Sequence, residues 1–432
     1  MQTVWVERIF GGLSGKTRRV TAGKNKVVVL SELFRPEMTS TGYYLTKIAE
    51  RLALEHDVEV FCGQPTYAER GRRAPSTEQD GRLRINRVRS STFDKDRIGL
   101  RLLNLVTLTW SIVARSALAI RPGDVVIVVT NPPTLPLIMA LICRMRRAKL
   151  VALIHDRFPE VMVAVGFRSK NDASVRVLEE LNKWLLPKSA CIVVVGRDMG
   201  EQLEKQYPLA NIAVLGNWAE NATVRPVPLP ERSLRSELGL PSDRVVLYAG
   251  NFGRANDLET LLGAAELLRK SGIFFALIGH GVNRPWVEAI IRSKGLDHVR
   301  VAGPYPREAQ CQLLACGDIV VIPSIPGMCG ISVPSRIYNS LAAGRPVVVA
   351  TEATAEIARI VTDFNVGWIV PPASAELLAE AIREALIDTN QSELDGMGRR
   401  AIEAAQNELS ESRMLDQWSQ LVRQLLAETQ GF

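Results

Sequence analysis

Short apolar runs alternate with amphipathic helical patterns along most of the chain. Most of the runs are rich in Val and Ile, without polar alternation. Such runs are typical of parallel strands whose two faces are both covered by helices. We therefore predict an α/β chain with buried parallel strands at residues 26–30, 57–61, 124–130, 149–154, 190–195, 244–250, 274–279, 299–303, 318–324, 346–350 and 366–371.

The alternation is interrupted at residues 217–233, where the stretch NWAENATVRPVPLPERS is rich in proline and polar residues. Each side holds enough strand–helix units for its own core. We predict two Rossmann-like, doubly wound domains facing a cleft, because such sheets bind ligands beyond the carboxyl ends of their strands. The predicted divisions are a polar extension at 1–25, an N-terminal domain at 26–217, a C-terminal domain at 218–404, and a helix at 405–432 that packs back towards the N-terminal domain.

The composition indicates a globular protein with anionic partners. Hydrophobic residues make up 47% and charged residues 23% of the 432 residues, and the formal net charge is +7. Phosphate esters and a membrane surface fit that charge, whereas no interleaving of aromatic and basic residues favours nucleic acid. The six cysteines form no pair with metal-ligand spacing and the four histidines are scattered. We therefore predict no metal site and a reducing compartment.

Glycine-bearing loops follow three successive strands of the C-terminal half. The first, LYAGNFGRAND, places Gly250, Asn251, Gly253 and Arg254 between a strand and a helix. Backbone N–H groups, a helix N-terminus and an arginine suit a phosphate, although an ordinary glycine-rich turn explains the same pattern.

The loops LIGHG and VAGPYP repeat this placement at the next two strand ends. They contribute Gly279 and Gly281, and then Pro304 and Tyr305, whose ring can lie along a nucleobase. Taken alone, each loop is explained equally well by a plain turn. Their joint occurrence at successive strand ends favours a ligand site.

The stretch VPSRIYNSLAAGRPVVVA adds a second arginine. Ser335 is a good helix N-cap, Arg336 follows in the first turn, and Gly344 ends the helix in a left-handed conformation. A cation at the positive end of a helix is unfavourable unless an anion lies there too. The pattern favours a diphosphate between Arg336 and the Arg254 loop; a solvated surface arginine is the alternative.

In this order, the motifs YAGNFGRAND, LIGHG, VAGPYPRE, VPSRIYNSLAAGRPVVVA and VGWIVPP resemble the donor half of family 4 retaining glycosyltransferases with the GT-B fold. The resemblance is strongest to the bacterial subgroup typified by N-acetyl-L-fucosamine transferases of surface-polysaccharide assembly. SELFRPEMTSTGYYLTKIAERL and LIHDRFPEVMVAVGF look like that family's acceptor half, so the similarity extends over most of the chain.

The resemblance implies that Gly253, Arg254, Ser335 and Arg336 contact a nucleotide diphosphate, with the base near residues 303–305. Many family members carry a pair of glutamates around this helix. The second glutamate holds the ribose hydroxyls, and its position is Asn339 in this chain. Glu356 is a candidate substitute for it or, alternatively, a solvated helix residue.

Two segments of the N-terminal half carry the candidate acceptor site. The family resemblance places Thr41 and Gly42 over the donor diphosphate and the acceptor. His155, at the end of a buried strand, can reach a sugar hydroxyl, and Asp156 is a candidate acceptor ligand. A simple pair between Asp156 and Arg157 is the alternative for that carboxylate.

The segment 97–120, RIGLRLLNLVTLTWSIVARSALAI, combines a narrow polar strip with a broad apolar surface. Internal arginines argue against a membrane-spanning helix. A core helix packed on two sides and an interfacial membrane helix both remain open. Nearby basic clusters, Arg82 to Lys95 and RMRRAK at 144–149, favour contact with an anionic membrane surface.

The resemblance implies a hexosyltransferase-type enzyme that moves a sugar from a nucleotide diphosphate, with UDP expected, to a lipid-diphosphate-linked saccharide. We expect it on the cytoplasmic face of the inner membrane, with no metal or other cofactor. The candidate catalytic residues are His155, Asp156, Arg254 and Arg336. A UDP-N-acetylglucosamine-type epimerase of GT-B fold and a non-catalytic sugar-nucleotide-binding scaffold are the alternatives.

Overall fold

The computed structural model describes residues 25–37, 39–65, 73–91, 93, 98–228, 231 and 233–428. Except for residue 25, the polar extension predicted at 1–25 lies outside these ranges. Every apolar run predicted as a strand forms one, because continuous β-branched segments suit a doubly covered sheet. The strands are β1 Val27–Ser31, β2 Val58–Cys62, β3 Thr77–Asp80, β4 Leu83–Arg87, β5 Val125–Val129, β6 Lys149–Ile154, β7 Cys191–Val194, β8 Ile212–Val214, β9 Val245–Asn251, β10 Phe274–His280, β11 Val299–Ala302, β12 Ile319–Pro323, β13 Val347–Ala350 and β14 Gly367–Val370.

Helices connect most of these strands. They are α1 Ser40–Ala53, α2 Ile98–Ala119, α3 Leu135–Arg146, α4 Glu160–Ala164, α5 Ala173–Leu185, α6 Arg197–Gln206, α7 Ser233–Glu237, α8 Leu258–Leu267, α9 Arg284–Lys294, α10 Gln310–Ala315, α11 Arg336–Ala342, α12 Glu356–Phe364, α13 Ala375–Arg383, α14 Gln391–Gln406 and α15 Glu411–Ala427. No helix within the described ranges combines the length and apolar character needed to cross a bilayer.

The chain divides into two α/β units. Unit 1 comprises the described parts of Met1–Phe158, Asn171–Leu215 and Leu415–Phe432, and unit 2 comprises Pro159–Lys170 and the described parts of Gly216–Met414. The short segment 159–170, which we predicted within the N-terminal domain, is thus grouped with unit 2. Each unit has its own sheet flanked by helices, and the predicted class of two Rossmann-like domains is confirmed.

Unit 2 contains a six-stranded sheet in the order β11-β10-β9-β12-β13-β14, with every pair parallel. The order reverses between β9 and β12, and ligands of open α/β sheets bind at such switch points. Because β9, β10 and β11 are neighbours, the glycine loops that follow them lie along one stretch of the sheet edge. Tyr248, Phe252 and Phe275 belong to the buried core beneath that edge.

Unit 1 contains an eight-stranded sheet in the order β3-β4-β2-β1-β5-β6-β7-β8. The polar edge strand β3 pairs antiparallel with β4, and neither strand was predicted because their sequences lack an apolar run. The structure of this edge shows that Arg87, a member of the basic cluster predicted to contact a membrane surface, is engaged within the protein. Arg87 is buried, bonds to the carbonyls of Pro75 and Arg35, and pairs with Glu78, so it is unavailable to lipid.

Helix α2 packs on the sheet of unit 1 through one side. Leu108 and Ile112 are buried in the core, whereas Trp110 and Leu118 are 72% and 81% exposed. The two-sided core interpretation is therefore wrong. The polar strip, which comprises Arg97, Arg101, Asn104, Ser111 and Arg115, has two environments. Asn104 is buried and bonds to Ser91 and to the backbone of residue 93, whereas Arg115 is exposed. Residue 97 and the side chain of residue 101 lie outside the described structure.

Candidate functional site

Arg336 occupies a fixed position above the end of strand β9. Its guanidinium carbon lies 4.7 Å from the centre of the Tyr248 ring, and its Nη2 donates to Asn256 Oδ1 at 2.6 Å. Asn256 and Tyr248 each donate to the carbonyl of Asn251, at 2.9 and 2.6 Å. Tyr248 in strand β9 and Asn256 in the loop that follows therefore orient the arginine on two sides.

One nitrogen of this guanidinium is left without a protein partner. Nη1 of Arg336 is buried and has no hydrogen-bond acceptor among the described residues. A buried, charged donor without a partner is costly. An anionic ligand at this edge of unit 2 would supply the missing acceptor.

The glycines at this edge allow protein segments to approach each other. A Cβ on Gly250 would lie 3.1 Å from the guanidinium carbon of Arg336, and a Cβ on Gly279 would lie 1.8 Å from the Gly250 carbonyl oxygen. A Cβ on Gly281 would lie 2.4 Å from Asn251 Oδ1. The three glycines thus have a packing role, whatever a ligand also requires of them.

The remaining residues of the predicted diphosphate site differ in their exposure to solvent. Arg254 is exposed, two residues from the Asn256 side chain that holds Arg336, and Gly253 is partly exposed in the same loop. The helix that follows this loop is already capped by Asp257, whose carboxylate accepts from Thr260 N at 3.0 Å. A carboxylate therefore already caps the N-terminus of that helix, and the phosphate role predicted for this N-terminus stays a prediction.

Two expectations for helix α11 need correction. Ser335 stands at its N-cap but makes no side-chain capping bond. Asn339, expected to meet the ribose, is buried, and its amide group is bonded at both ends to Glu220: Oδ1 accepts from Glu220 N at 3.0 Å, and Nδ2 donates to Glu220 Oε1 at 2.6 Å. Gly344, as predicted, follows the helix with a φ of 68°.

Arg284 connects two of the glycine loops and was not predicted. Its Nη1 donates to the carbonyl of Gly279 at 3.1 Å and to the carbonyl of Gly303. Gly303 precedes the exposed Pro304 and the partly exposed Tyr305, which we assigned to the nucleobase. Arg284 therefore fixes the loop that carries Pro304 and Tyr305 relative to the end of β10. The sequence signal was a lone arginine at the start of a helix, which is common on protein surfaces.

Glu356 lies beside a small pocket in unit 2. It is buried in the first turn of α12, and the pocket is lined by Ser324, Met328, Ser332, Val333, Pro334, Thr351, Ala355, Glu356 and Ile357. It is not a solvated helix residue, which was the alternative interpretation. Its proximity to Pro334 places a carboxylate near the start of α11, and its role towards a ribose stays a prediction.

The acceptor candidates of unit 1 lie around helix α1 and the end of β6. The rings of His155 and Tyr44 are 6.5 Å apart, and burial lowers the pKa of His155 to about 4. Thr41 lies in the first turn of α1, whereas Gly42 is buried, and a Cβ there would lie 2.2 Å from the Glu37 carbonyl oxygen. Gly42 therefore lets the first turn of α1 pack against the loop that precedes it.

Asp156 is partly exposed beside His155, and its carbonyl accepts from Thr130 Oγ1 at 3.1 Å. The guanidinium of the adjacent Arg157 is buried and donates to Gln202 and Gln206 of α6, at 2.7 and 3.0 Å. Those two bonds anchor the Arg157 side chain to the neighbouring helix. The ligand role of Asp156 stays a prediction.

Two family models match the chain. The Glycosyl transferase 4-like domain matches residues 40–218, and Glycosyl transferases group 1 matches residues 243–388. WbjE of Pseudomonas aeruginosa, named a probable glycosyltransferase, is 29% identical over 406 residues, covering 94% of this chain and 99% of that protein. WcaI of Escherichia coli (strain K12), whose name assigns it to colanic acid biosynthesis as a glycosyl transferase, is 26% identical over 378 residues, covering 84% and 92%.

Solved structures support the same fold. Sucrose-phosphate synthase from Thermosynechococcus elongatus superposes with a TM-score of 0.73 at 19% identity, covering 94% of this chain and all of that chain. The Anabaena protein HepE, in a complex with UDP and glucose, gives a TM-score of 0.69 at 16% identity, covering 93% and 100%. At these identities the likeness concerns the fold, which is that of the GT-B glycosyltransferases.

Proposed function

Because the chain is a glycosyltransferase with a 4-like domain and a group 1 domain, we propose that it transfers a sugar, with retention of configuration, from a UDP-sugar to a lipid-diphosphate-linked saccharide. The pathway proposed is bacterial surface-polysaccharide assembly. WcaI, named for colanic acid biosynthesis, and the HepE complex with UDP support this assignment. The ordered motifs from YAGNFGRAND to VGWIVPP support the subgroup that resembles N-acetyl-L-fucosamine transferases.

The observation that carries the proposal is the orphaned nitrogen of Arg336. Negative charge builds up on the β-phosphate of the donor as the glycosidic bond breaks. A guanidinium already held by Tyr248 and Asn256 needs no reorganisation to meet that charge, and preorganised donors of this kind stabilise transition states most effectively. The exposed Arg254 supplies a second cation from the neighbouring loop. The proposed chemistry invokes no metal ion.

On the acceptor side, His155 acts as a neutral hydrogen-bonding group. With its pKa lowered to about 4 by burial, the imidazole is uncharged near neutral pH and is a weak base. It orients a hydroxyl of the acceptor saccharide, with Asp156 as a second ligand. The departing phosphate takes the proton of the attacking hydroxyl. We further propose that the enzyme works on the cytoplasmic face of the inner membrane, where a lipid-linked acceptor is held.

The test begins with donor binding. Purified protein is heated in the presence of UDP, GDP, ADP and their sugar conjugates, and only true ligands raise the unfolding temperature by mass action. The donor so identified is then incubated with a polyprenyl-diphosphate saccharide, and the anomeric configuration of the product is determined by NMR. Sugar transfer with retention, lost in Arg336→Ala, is the expected result.

Two other outcomes would replace the proposal. Conversion of a UDP-sugar into its epimer without any acceptor would identify an epimerase. Nucleotide binding without turnover on any lipid-linked saccharide would identify a scaffold. Inversion of configuration would retain the transferase but reject its proposed stereochemistry.

A further inference from the structure

Three helices form one outer layer of unit 1. Helix α2 packs against α3, and α3 packs against α5. Their inward residues share one hydrophobic core with the sheet, in which Leu108 of α2, Met139 of α3 and Leu185 of α5 lie with Val28 and Val126 of the strands. The opposite sides of the same helices therefore face outwards from this layer.

The outward side of α2 is apolar along its length. Large hydrophobic side chains recur at intervals of three, four and eight residues, which places them on one helical face. These are Leu103, Val106, Trp110 and Leu118, with exposed fractions of 44%, 58%, 72% and 81%. A row of large hydrophobic side chains on one helical face is normally buried against the core of a monomer.

The neighbouring helices continue this surface. Helix α3 exposes Ile138, Leu141 and Met145, the last of which is 83% exposed, and α5 exposes Val177, Leu181 and Trp184. These three helices carry half of the exposed large hydrophobic residues in the described part of the chain. We call the ten side chains on α2, α3 and α5 the apolar face. Contiguous exposed apolar surface of this kind marks a protein or membrane contact.

The charges around the apolar face have one sign on two of its three helices. Helices α2 and α3 contain no acidic residue, whereas Arg115, Arg144, Arg146 and Arg147 are exposed on or next to them. On α5, Lys183 pairs with Glu180 at 2.6 Å. Just beyond it, the Nζ of Lys188 lies 3.5 Å from the centre of the Trp184 ring. Tryptophan and basic residues beside an apolar surface are typical of the bilayer interface.

We propose that the apolar face docks on an anionic lipid bilayer, with α2, α3 and α5 lying on the membrane surface and the four arginines contacting lipid phosphates. The inference deepens the proposed function, since a lipid-linked acceptor gives this contact its purpose. Charge selects the partner: a second copy of the chain would bring like-charged arginines together, whereas anionic headgroups neutralise them. The docking involves three helices of the folded unit rather than the isolated segment 97–120.

The experiment measures co-flotation of the full chain with vesicles. Vesicles of phosphatidylcholine alone are compared with vesicles that also contain phosphatidylglycerol. Binding is expected only with phosphatidylglycerol present, and it should weaken with added salt. The double variant Trp110→Ser/Met145→Ser should reduce the bound fraction about tenfold, because it removes two inserted apolar side chains. Arg144→Glu/Arg147→Glu should abolish the preference for anionic lipid.

Matched controls keep the result specific to this face. Leu267→Ser removes an apolar side chain that is 58% exposed on α8 of unit 2, and Arg292→Glu reverses an exposed charge on α9. Both controls should float like the unaltered protein. Because all the altered side chains are exposed, every variant should keep its thermal unfolding midpoint, which is measured alongside.

The outcomes separate this inference from the proposed function. Absence of flotation with anionic vesicles, or flotation unchanged by the face variants, would overturn the docking surface. A concentration-dependent dimer that the same variants abolish would assign the face to a second copy instead. Transfer to a short-chain, water-soluble acceptor should be the same in all variants. If that transfer fails while flotation persists, the proposed function is at fault and the surface stands.

Discussion

The guanidinium of Arg336 stacks on the ring of Tyr248, 4.7 Å from its centre, while a residue eighty positions away holds one of its nitrogens. That second contact is to Asn256, in the loop after β9. Three features define the position of the Arg336 guanidinium: the face of the Tyr248 ring, the hydrogen bond to Asn256, and the absence of a side chain at Gly250. A lysine could meet none of these geometric requirements in the same way.

Replacing Arg336 should therefore reduce catalysis more than stability. For Arg336→Ala we expect kcat to fall by about two to three orders of magnitude, as for the loss of one preorganised transition-state donor. The lost stacking on Tyr248 should cost only about 1 kcal/mol of unfolding free energy. Steady-state kinetics and urea unfolding measure the two effects. Arg300→Ala, at an exposed position on β11, is the control and should change neither; full activity in Arg336→Ala would contradict the assignment.

Gly250→Ala should disturb Arg336, because the added Cβ would crowd its guanidinium. The glycine has a φ of 150°, and the added Cβ would lie 3.1 Å from the guanidinium carbon. We expect an unfolding penalty of about 1 kcal/mol from the backbone together with a clear loss of transfer rate. Gly239→Ala is a matched control, since its φ is 64° and nothing lies within 4 Å of the added Cβ. Equal activities in the two variants would show that Arg336 is not held by this contact.

The strands of both sheets could be predicted because their signal is local. Runs such as residues 125–129 and 346–350 are apolar without interruption, and only a buried strand or helix interior accommodates them. The strands that were missed, β3, β4 and β8, lie towards the edges of the sheet of unit 1. There, polar sequences such as TEQD at Thr77–Asp80 are tolerated, so composition carries little information.

The site was predictable only as a set of loops, because its contacts are long-range. The glycines were assigned to ligand approach, yet the register that pairs Gly279 with Gly250 shows that they approach each other. Nothing in the sequence near Asn339 indicates that its partner is Glu220, which lies 119 positions away. The sequence showed that α2 has a broad apolar surface. How many sides of the helix are buried depends on its packing against the sheet, which the sequence pattern does not give.

Arg284 should act on donor binding by positioning the loop that carries Tyr305. Its guanidinium joins the carbonyls of Gly279 and Gly303, so Arg284→Ala frees the loop that carries Tyr305. We expect the KM for the donor to rise about tenfold with a smaller change in kcat, because remote positioning affects ground-state and transition-state binding alike. Glu288→Gln removes only the ion pair of Arg284 with Glu288 and should leave KM unchanged. A fall in kcat at constant KM would argue against a positioning role.

Asn339 should prove structural, because both ends of its amide bond to Glu220. Asn339→Asp would place a second buried carboxylate against the first, and we expect about 2–4 kcal/mol of destabilisation at neutral pH. The penalty should shrink in acid, where one of the two carboxylates is protonated. Urea unfolding at two pH values measures this, with Asn390→Asp as a control, since Asn390 caps α14 and aspartate caps as well. Weaker nucleotide binding of Asn339→Asp without a loss of stability would instead support the predicted contact of Asn339 with the ribose.

The imidazole of His155 should stay neutral throughout the range in which most histidines titrate. Burial lowers its pKa from 6.5 to about 4, so the unfolded chain takes up the proton first. The contribution of His155 to stability is then complete above pH 6.5 and is lost as the pH falls towards 4. NMR titration of the four imidazoles measures this directly, with His280→Gln, at an exposed site, and His155→Gln used for assignment. The rate of transfer should show no inflection from His155 between about pH 5 and pH 8. A midpoint near 6.5 for His155 would mean that the ring is solvated and is available as a general base in the acceptor site.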